Sequence, residues 1–334
     1  MTPRAFLAGS LGVVLAGSPA LARPGDDPQT AASRATITDY ARTLMVEHRP
    51  FDAFRKYYAK DQIQHDPWIA DGNGGDEDFL EKRRKAEPEK YVATGQFVNV
   101  IHTILADHDL VALKSHVFTS DHDAGRSFVD IWRIENGKFA EHWDVIQPMA
   151  GMGPNVATIA CGQGGTYADA RALGGASVDH PACGLPGPRG HEAANKRLVL
   201  DYLAMGQRPG QLDRAAQTYL ALDLVQHSPL IPPGRAGFLA YMHEREAARR
   251  ADHRRSETAR VIADGDFVLV HRRVTSDSNP RGTAYADVFR VRGRRIVEHW
   301  DTVQPIPAFS VPGRSLVDGP LEPGREKRQP APGE

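Results

Sequence analysis

Apolar residues recur at helical spacing over 34–48 and 192–205, where Leu198, Tyr202 and Met205 form one stripe. Short second helices are expected over 51–58 and 211–221, and third ones over 76–87 and 235–249. The period then changes. Residues 96–105 and 110–118 are rich in Val, Ile, Leu and Phe with alternation, and the polar turn Asp107-His108-Asp109 separates them. Two further strands, 127–134 and 139–146, flank Glu135-Asn136-Gly137-Lys138, whose Asn-Gly pair marks a tight hairpin. Arg292-Gly293 takes that place later in the chain. Helices followed by an antiparallel meander predict an α+β domain with helices on one face of a curved sheet. Such a half-closed sheet leaves a cavity between its concave face and the helices, a natural small-ligand site.

This order occurs twice. Gln64-His65-Asp66-Pro67 is echoed by Gln226-His227-Ser228-Pro229 at an offset of 162. Ala106-Asp107-His108-Asp109-Leu110-Val111 is echoed by Ala263-Asp264-Gly265-Asp266-Phe267-Val268 at an offset of 157. Val129-Asp130-Ile131-Trp132-Arg133 returns as Ala286-Asp287-Val288-Phe289-Arg290, and Glu141-His142-Trp143-Asp144 returns unchanged as Glu298-His299-Trp300-Asp301. Gln147-Pro148 returns as Gln304-Pro305. Five motifs in one order mean a tandem duplication of a domain of about 110–120 residues, a usual size for one core. The copies run over 34–150 and 191–307. Residues 151–190, rich in Gly, Ala and Pro, read as a linker, and 308–334 as a disordered tail. Residues 23–33 are polar and small and read as a flexible start.

The composition narrows the class. The 334 residues are 41% hydrophobic and 25% charged, as in packed globular proteins, with a net charge of −1. A near-neutral chain lacks the basic face that nucleic acid requires, and no apolar run reaches the roughly 18 residues of a membrane span. Residues 1–22 read as a cleaved signal peptide: Arg4 is the positive end, Ala5–Gly17 the apolar stretch and Ala20-Leu21-Ala22 the cleavage site. A periplasmic or secreted location follows, with no membrane contact after cleavage. Cys161 and Cys183 then fit a disulfide closing a loop, free thiols being the alternative.

The strings Gln-His-(Asp/Ser)-Pro, Ala-Asp-x-Asp-(Leu/Phe)-Val, Asp-(Ile/Val)-(Trp/Phe)-Arg and Glu-His-Trp-Asp-x-x-Gln-Pro resemble the SnoaL-like polyketide cyclase family, within the nuclear transport factor 2-like superfamily. The resemblance covers both copies. It implies two cone-shaped α+β barrels, each a bent antiparallel sheet with about three helices. It further implies acid–base chemistry without a cofactor, such as an aldol cyclisation of a small hydrophobic or polyketide-like molecule by a lyase or isomerase. Isomerases, dehydratases and pure ligand binders share the fold, so a non-catalytic binding or interaction module is the rival reading.

The family's late-strand carboxylate maps by motif onto Asp130 and Asp287. Alternation puts Asp130 with Trp132, and Asp287 with Phe289, on one strand face. An acid beside an aromatic in an apolar cavity has its pKa raised, as an enolising base requires. Pairing with Arg133 or Arg290 is the structural alternative. His116, on the preceding strand, is expected beside Asp130, as the resemblance implies. The second copy departs, with Arg273 at that position and His271 two residues earlier on the same strand face. His142 with Asp144, and His299 with Asp301, share strand faces and either orient a ligand or form a buried network with the Gln-His-x-Pro segment. His65 and His227, at a bend before Pro, face a ligand or cap backbone carbonyls. No phosphate loop or helical metal motif is present, and no spacing supports a metal or another cofactor. The two copies are expected to pack sheet to sheet as an intramolecular pseudo-dimer.

Overall fold

The computed structural model describes residues 23–86, 98–119, 124–150, 161–173 and 177–318. The first copy runs α1 (Pro28–Ala41), a π-helical turn (Arg42–Val46), α2 (Pro50–Tyr57), β1 (Tyr58–Gln64), α3 (Gly75–Ala86), β2 (Val98–Asp107), β3 (Leu110–Phe118), β4 (Arg126–Glu135) and β5 (Lys138–Pro148). A short α4 (Tyr167–Ala172) lies in the connecting stretch. The second copy runs α5 (Glu192–Gly206), α6 (Leu212–Tyr219), β6 (Leu220–Gln226), α7 (Gly234–Ala251), β7 (Arg255–Asp264), β8 (Phe267–Thr275), β9 (Thr283–Arg292) and β10 (Arg295–Pro305). Among the described residues no helix is long and apolar enough to cross a membrane.

Each copy is an α+β cone built on a five-stranded sheet, in the orders β1-β5-β4-β3-β2 and β6-β10-β9-β8-β7. The sheets are mixed rather than antiparallel throughout, because β1 runs parallel to β5 and β6 parallel to β10. The duplication extends to the irregularities that bend the sheets. β2 is bulged between Ile101 and Thr103, and β7 between Thr258 and Arg260, the same positions at the offset of 157. Asn136 and Gly137 both have positive φ, 52° and 73°, as their hairpin requires. In the second copy the turn residues are Gly293 and Arg294, one position later than expected, with φ of 55° and 61°.

Residues 23–41 pack as a capped helix start. Asp27 accepts the Gln29 and Thr30 amides and Pro28 opens α1, so this segment is a capped helix start rather than a flexible lead-in. Thr30 and Ser33 are buried. The proposed signal peptide, 1–22, lies outside the described residues. The far end also differs from expectation over 308–318. Ser315, Leu316 and Val317 are buried, the Val311 amide donates to Pro67 O at 2.8 Å, and Arg314 pairs with Asp71 at 2.6 Å. This segment packs back onto the first copy; 319–334 lie outside the described residues.

Two cores sit between helices and sheet, one per copy. A third lies between the sheets, where Ile131, Trp143 and Val145 meet Leu269, Val288 and Trp300. Its polar frame is reciprocal, as a pseudo-twofold contact demands. The Ile146 amide donates to Gln304 Oε1 (2.6 Å) and the Val303 amide to Gln147 Oε1 (2.9 Å). The Ala106 amide donates to Asp264 (3.1 Å) and the Ala263 amide to Asp107 (2.8 Å). Lys114 is buried here against Ser127 and Thr302 hydroxyls, and burial pushes its amine down to about 7. The connecting stretch is tied in by the Cys161–Cys183 disulfide and by the Cys183 amide on His102 O. Reducing that disulfide, which closes a 22-residue separation, should lower stability by about 3 kcal/mol in a urea melt; an unchanged midpoint would show that the loop is held by packing alone.

Candidate functional site in the first cone

Both faces of each sheet are covered, so strand alternation divides side chains between the cone interior and the sheet–sheet contact. In the first copy Asp130 and Trp132 on β4, and His142 and Asp144 on β5, face the interior. Their register is direct: Asp130 opposes Asp144 and Trp132 opposes His142. His142 stacks on Trp132 with centroids 5.0 Å apart. Gln64, at the end of β1, orients it. The Gln64 Oε1 atom accepts the backbone N–H groups of His65 (2.9 Å) and Asp66 (3.0 Å), so it is the carbonyl end of the amide. It also lies 2.9 Å from His142 Nδ1, which must therefore carry a hydrogen and donate. His142 Nε2 is left facing Asp130 Oδ1 at 3.4 Å.

Further acids converge on this cluster. Burial pushes Asp144 well above the usual carboxylate range, and the charges of Asp66, Asp130 and Asp76 add to the effect. Asp76, in the first turn of α3, is pushed up to about 7 by burial; Asp66 and Asp130 raise it further and His142 opposes them. The buried hydroxyls of Tyr40 and Tyr58 lie 2.9 Å apart in the same core.

The second copy repeats the geometry with one substitution that changes its charge. Asp287 opposes Asp301, His299 Nδ1 lies 3.0 Å from Gln226 Oε1, and His299 Nε2 lies 3.2 Å from Asp287. Arg272 of β8 stands at the position of Ser115 of β3. Its Nε donates to Asp287 Oδ2 at 2.6 Å, and its guanidinium lies over the Tyr285 ring. Burial alone would raise the Asp287 pKa, but Arg272 and His299 outweigh it and hold the carboxyl down at about 2. Asp301 is pushed up by burial and by Asp287. The Asp287 side chain is 4% exposed and that of Asp130 is 16% exposed, so solvent reaches Asp130 more than Asp287, while the histidines run the other way, with His142 4% and His299 11% exposed.

The structure therefore brings together Asp130, His142 and Asp144, and separately Asp287, His299 and Asp301. It corrects several expectations. Asp287 is a stabilised carboxylate, not a reluctant one. Neither acid pairs with the neighbouring arginine: Arg133 bonds Glu135 and Glu141, and Arg290 bonds Glu298. His116 does not neighbour Asp130. It opposes Ser127, lies on the other face of the sheet and stacks on Phe118 at 4.3 Å. His65 and His227 also leave the interior. They stack on Trp143 and Trp300, on the outer face, and approach Glu141 and Glu298. His65 Nδ1 donates to Ser315 O at 2.9 Å, the backbone-capping role. Cavities were expected inside the cones; one cavity of about 270 Å³ among the described residues lies at the outer face of β7 and β8, lined by Glu257, Thr258, Ala259, Arg273, Val317 and Asp318.

Asp66, Asp76 and Arg272 were not singled out from the sequence. Two signals were present: Asp66 is replaced by Ser228 within the repeated motif, and Ser115 by Arg272 at the common offset. Asp76 had no such marker.

Asp76 carries a pH signature. Its folded pKa, about 7, lies above the ordinary 3.8, so the fold favours the protonated form. The associated stability is complete below about pH 3.8 and is lost as pH rises toward 7, by up to roughly 4 kcal/mol. Asp76→Asn should therefore melt higher than wild type at pH 8 in EDTA buffer and match it near pH 4. Equal shifts at both pH values would remove Asp76 as the titrating group.

Paired α+β cones, one holding a partly exposed Asp130 beside buried His142 and Asp144 and one with its acid held by an arginine, define the class of protein. Residues 199–299, within the second copy, match the SnoaL-like domain family, and the first copy repeats the second copy's strand order. No curated protein matches the chain. Among solved structures, one is a provisionally assigned ketosteroid isomerase from Kribbella flavida DSM 17836, at 19% identity and a TM-score of 0.31, covering 42% of this chain and 94% of its own. A provisionally assigned SnoaL-like polyketide cyclase from Jannaschia sp. CCS1 is 17% identical with a TM-score of 0.29, covering 35% of this chain and 89% of its own. A provisionally assigned isomerase of the SnoaL-like family from Agrobacterium tumefaciens str. C58 is 21% identical with a TM-score of 0.29, covering 34% of this chain and 98% of its own.

Proposed function

We propose that the protein is an exported acid–base enzyme whose first cone abstracts a proton next to the carbonyl of a small hydrophobic or polyketide-like compound. Aldol-type cyclisation, isomerisation and dehydration all begin with that step. The observation that carries the reading is the solvent-accessible carboxylate of Asp130 in an interior that also holds His142 and Asp144. Asp130 is the base. His142, aligned by Gln64 and Trp132, takes up or returns the proton, and a protonated Asp144 or Asp76 donates a hydrogen bond to the developing enolate oxygen. The second cone, closed by Arg272 on Asp287, is a non-catalytic partner that completes the sheet–sheet core.

Export is supported by the fit of the cleaved end. Cleavage after Ala22 would place the new α-amino group of Arg23 about 3.0 Å from Asp26, while the Arg23 side chain binds Asp264. Edman sequencing of protein recovered from outside the cytoplasm should start at Arg23; a chain retaining Met1 would remove this support.

The function is tested by incubating the protein in D2O with a panel of small ketones and β-dicarbonyl compounds. Incorporation of deuterium at the α-carbon, by mass spectrometry, is the expected result. Compounds that raise the melting temperature but never exchange would make the protein a binding module.

A further inference from the structure

We propose that the first cone binds a divalent first-row metal ion of the zinc and manganese class through Asp130, His142 Nε2 and Asp144. The inference rests on the same cluster as the proposed function: a bound ion would take His142 Nε2 and Asp144 out of the proton-handling roles given above and supply the positive charge that polarises the carbonyl in their place. One ligand atom from each of the three residues lies within 4.8 Å of the other two. Small side-chain rotations would bring all three to roughly 2.1 Å from a common centre. The imidazole is prepared for it: Nδ1 is committed as a donor to the Gln64 carbonyl, the outer partner that metal-binding histidines characteristically have, and Nε2 points at a carboxylate. Asp144 is buried, and its Oδ1 has no hydrogen-bond partner. One imidazole with two carboxylates suits zinc or manganese better than calcium, which prefers an all-oxygen shell.

The second copy supplies the internal comparison. The same three residues recur there as Asp287, His299 and Asp301, and a guanidinium, Arg272, holds the carboxylate at 2.6 Å. The first copy has Ser115 in that place, with an unpartnered buried hydroxyl. The two cones thus answer one electrostatic requirement, positive charge among buried carboxylates, in two ways: a fixed arginine in one and an exchangeable cation in the other. The outer cluster of His65, Glu141 and Asp318 also has three ligand types, but its charges are already met by Arg133 and Arg260.

The test is calorimetric titration of the full chain with Zn2+, and separately Mn2+, after EDTA treatment. Wild type should bind one ion per chain. Ser115→Arg, which copies the second cone's solution, and Asp144→Asn should each weaken binding at least about tenfold while circular dichroism is unchanged. Asp318→Asn should leave binding as in wild type. Arg272→Ser should raise the stoichiometry to two. A folded wild type that takes up neither ion at millimolar concentration overturns the proposal, as does binding that survives both Ser115→Arg and Asp144→Asn. Metal binding by wild type, together with undiminished α-proton exchange in Asp130→Asn, would refute the catalytic reading and leave the site standing. Lost exchange without metal binding would do the reverse.

Discussion

Asp264→Ala is expected to destabilise the protein by about 3–5 kcal/mol, measured as the shift of a urea unfolding curve. Asp264 is fully buried between the copies and meets three guanidinium groups: Arg34 at 2.7 Å, Arg23 at 2.8 Å and Arg189 at 3.3 Å. It also accepts the Ala106 amide across the sheet contact. Asp26 then remains the only carboxylate bonded to Arg34, whose own pKa is raised because two carboxylates outweigh its burial. Removing one partner of a buried ion network costs far more than the network contributes, because the orphaned charges stay desolvated. The pseudo-symmetric position gives the control. Asp107 makes the matching amide contact, but its side-chain partners are Lys196, one-third exposed, and the His108 imidazole, two-thirds exposed. Asp107→Ala should therefore cost about 1–2 kcal/mol. Equal losses at the two sites would mean that the arginines add nothing to the joint.

Asp130→Asn should lower kcat/KM for α-proton exchange by about 10²–10⁴-fold, the usual contribution of a positioned base, with the fold retained. Asp287→Asn should leave exchange per folded molecule near the wild-type rate, since the Asp287 carboxylate is engaged by Arg272 and shut off from solvent. The converse pattern, with Asp287 sensitive and Asp130 silent, would move the active cone to the second copy. Equal sensitivity would mean that both cones turn over, and that Arg272 moves aside when substrate enters.

The duplication was legible because strings such as Glu-His-Trp-Asp survive unchanged, and the helix-then-meander order followed from the change of period. What the strands carry was harder to read. Alternation put Asp130 with Trp132 and His142 with Asp144, as the strands do, but the resemblance set His116 beside Asp130, whereas it opposes Ser127 on the other face. Both faces of these sheets are buried, one by helices and one by the other sheet, so polarity does not mark which face is inside. For the same reason Ser115 and Arg272, one residue from the histidines that drew attention, went unread. The parallel edge strands β1 and β6 were hidden because polar Gln62, Gln64 and Gln226 point inward and break the hydrophobic rhythm. The Arg34–Asp264 joint links residues 230 positions apart and has no local sign. The helix start at Asp27-Pro28 did have one, the cap followed by proline at the first helical position, and it outweighed the small polar composition of 23–33.

The central claim is that the first cone is the working one and the second is closed by its own arginine. A crystal structure with a non-enolisable analogue of an exchanging ketone tests it most directly. The account predicts the analogue's carbonyl within hydrogen-bonding reach of the Asp130, His142 and Asp144 group, and Arg272 still on Asp287. An analogue seated in the second cone with Arg272 displaced, or bound only in the outer groove beside Arg273 and Val317, would contradict it.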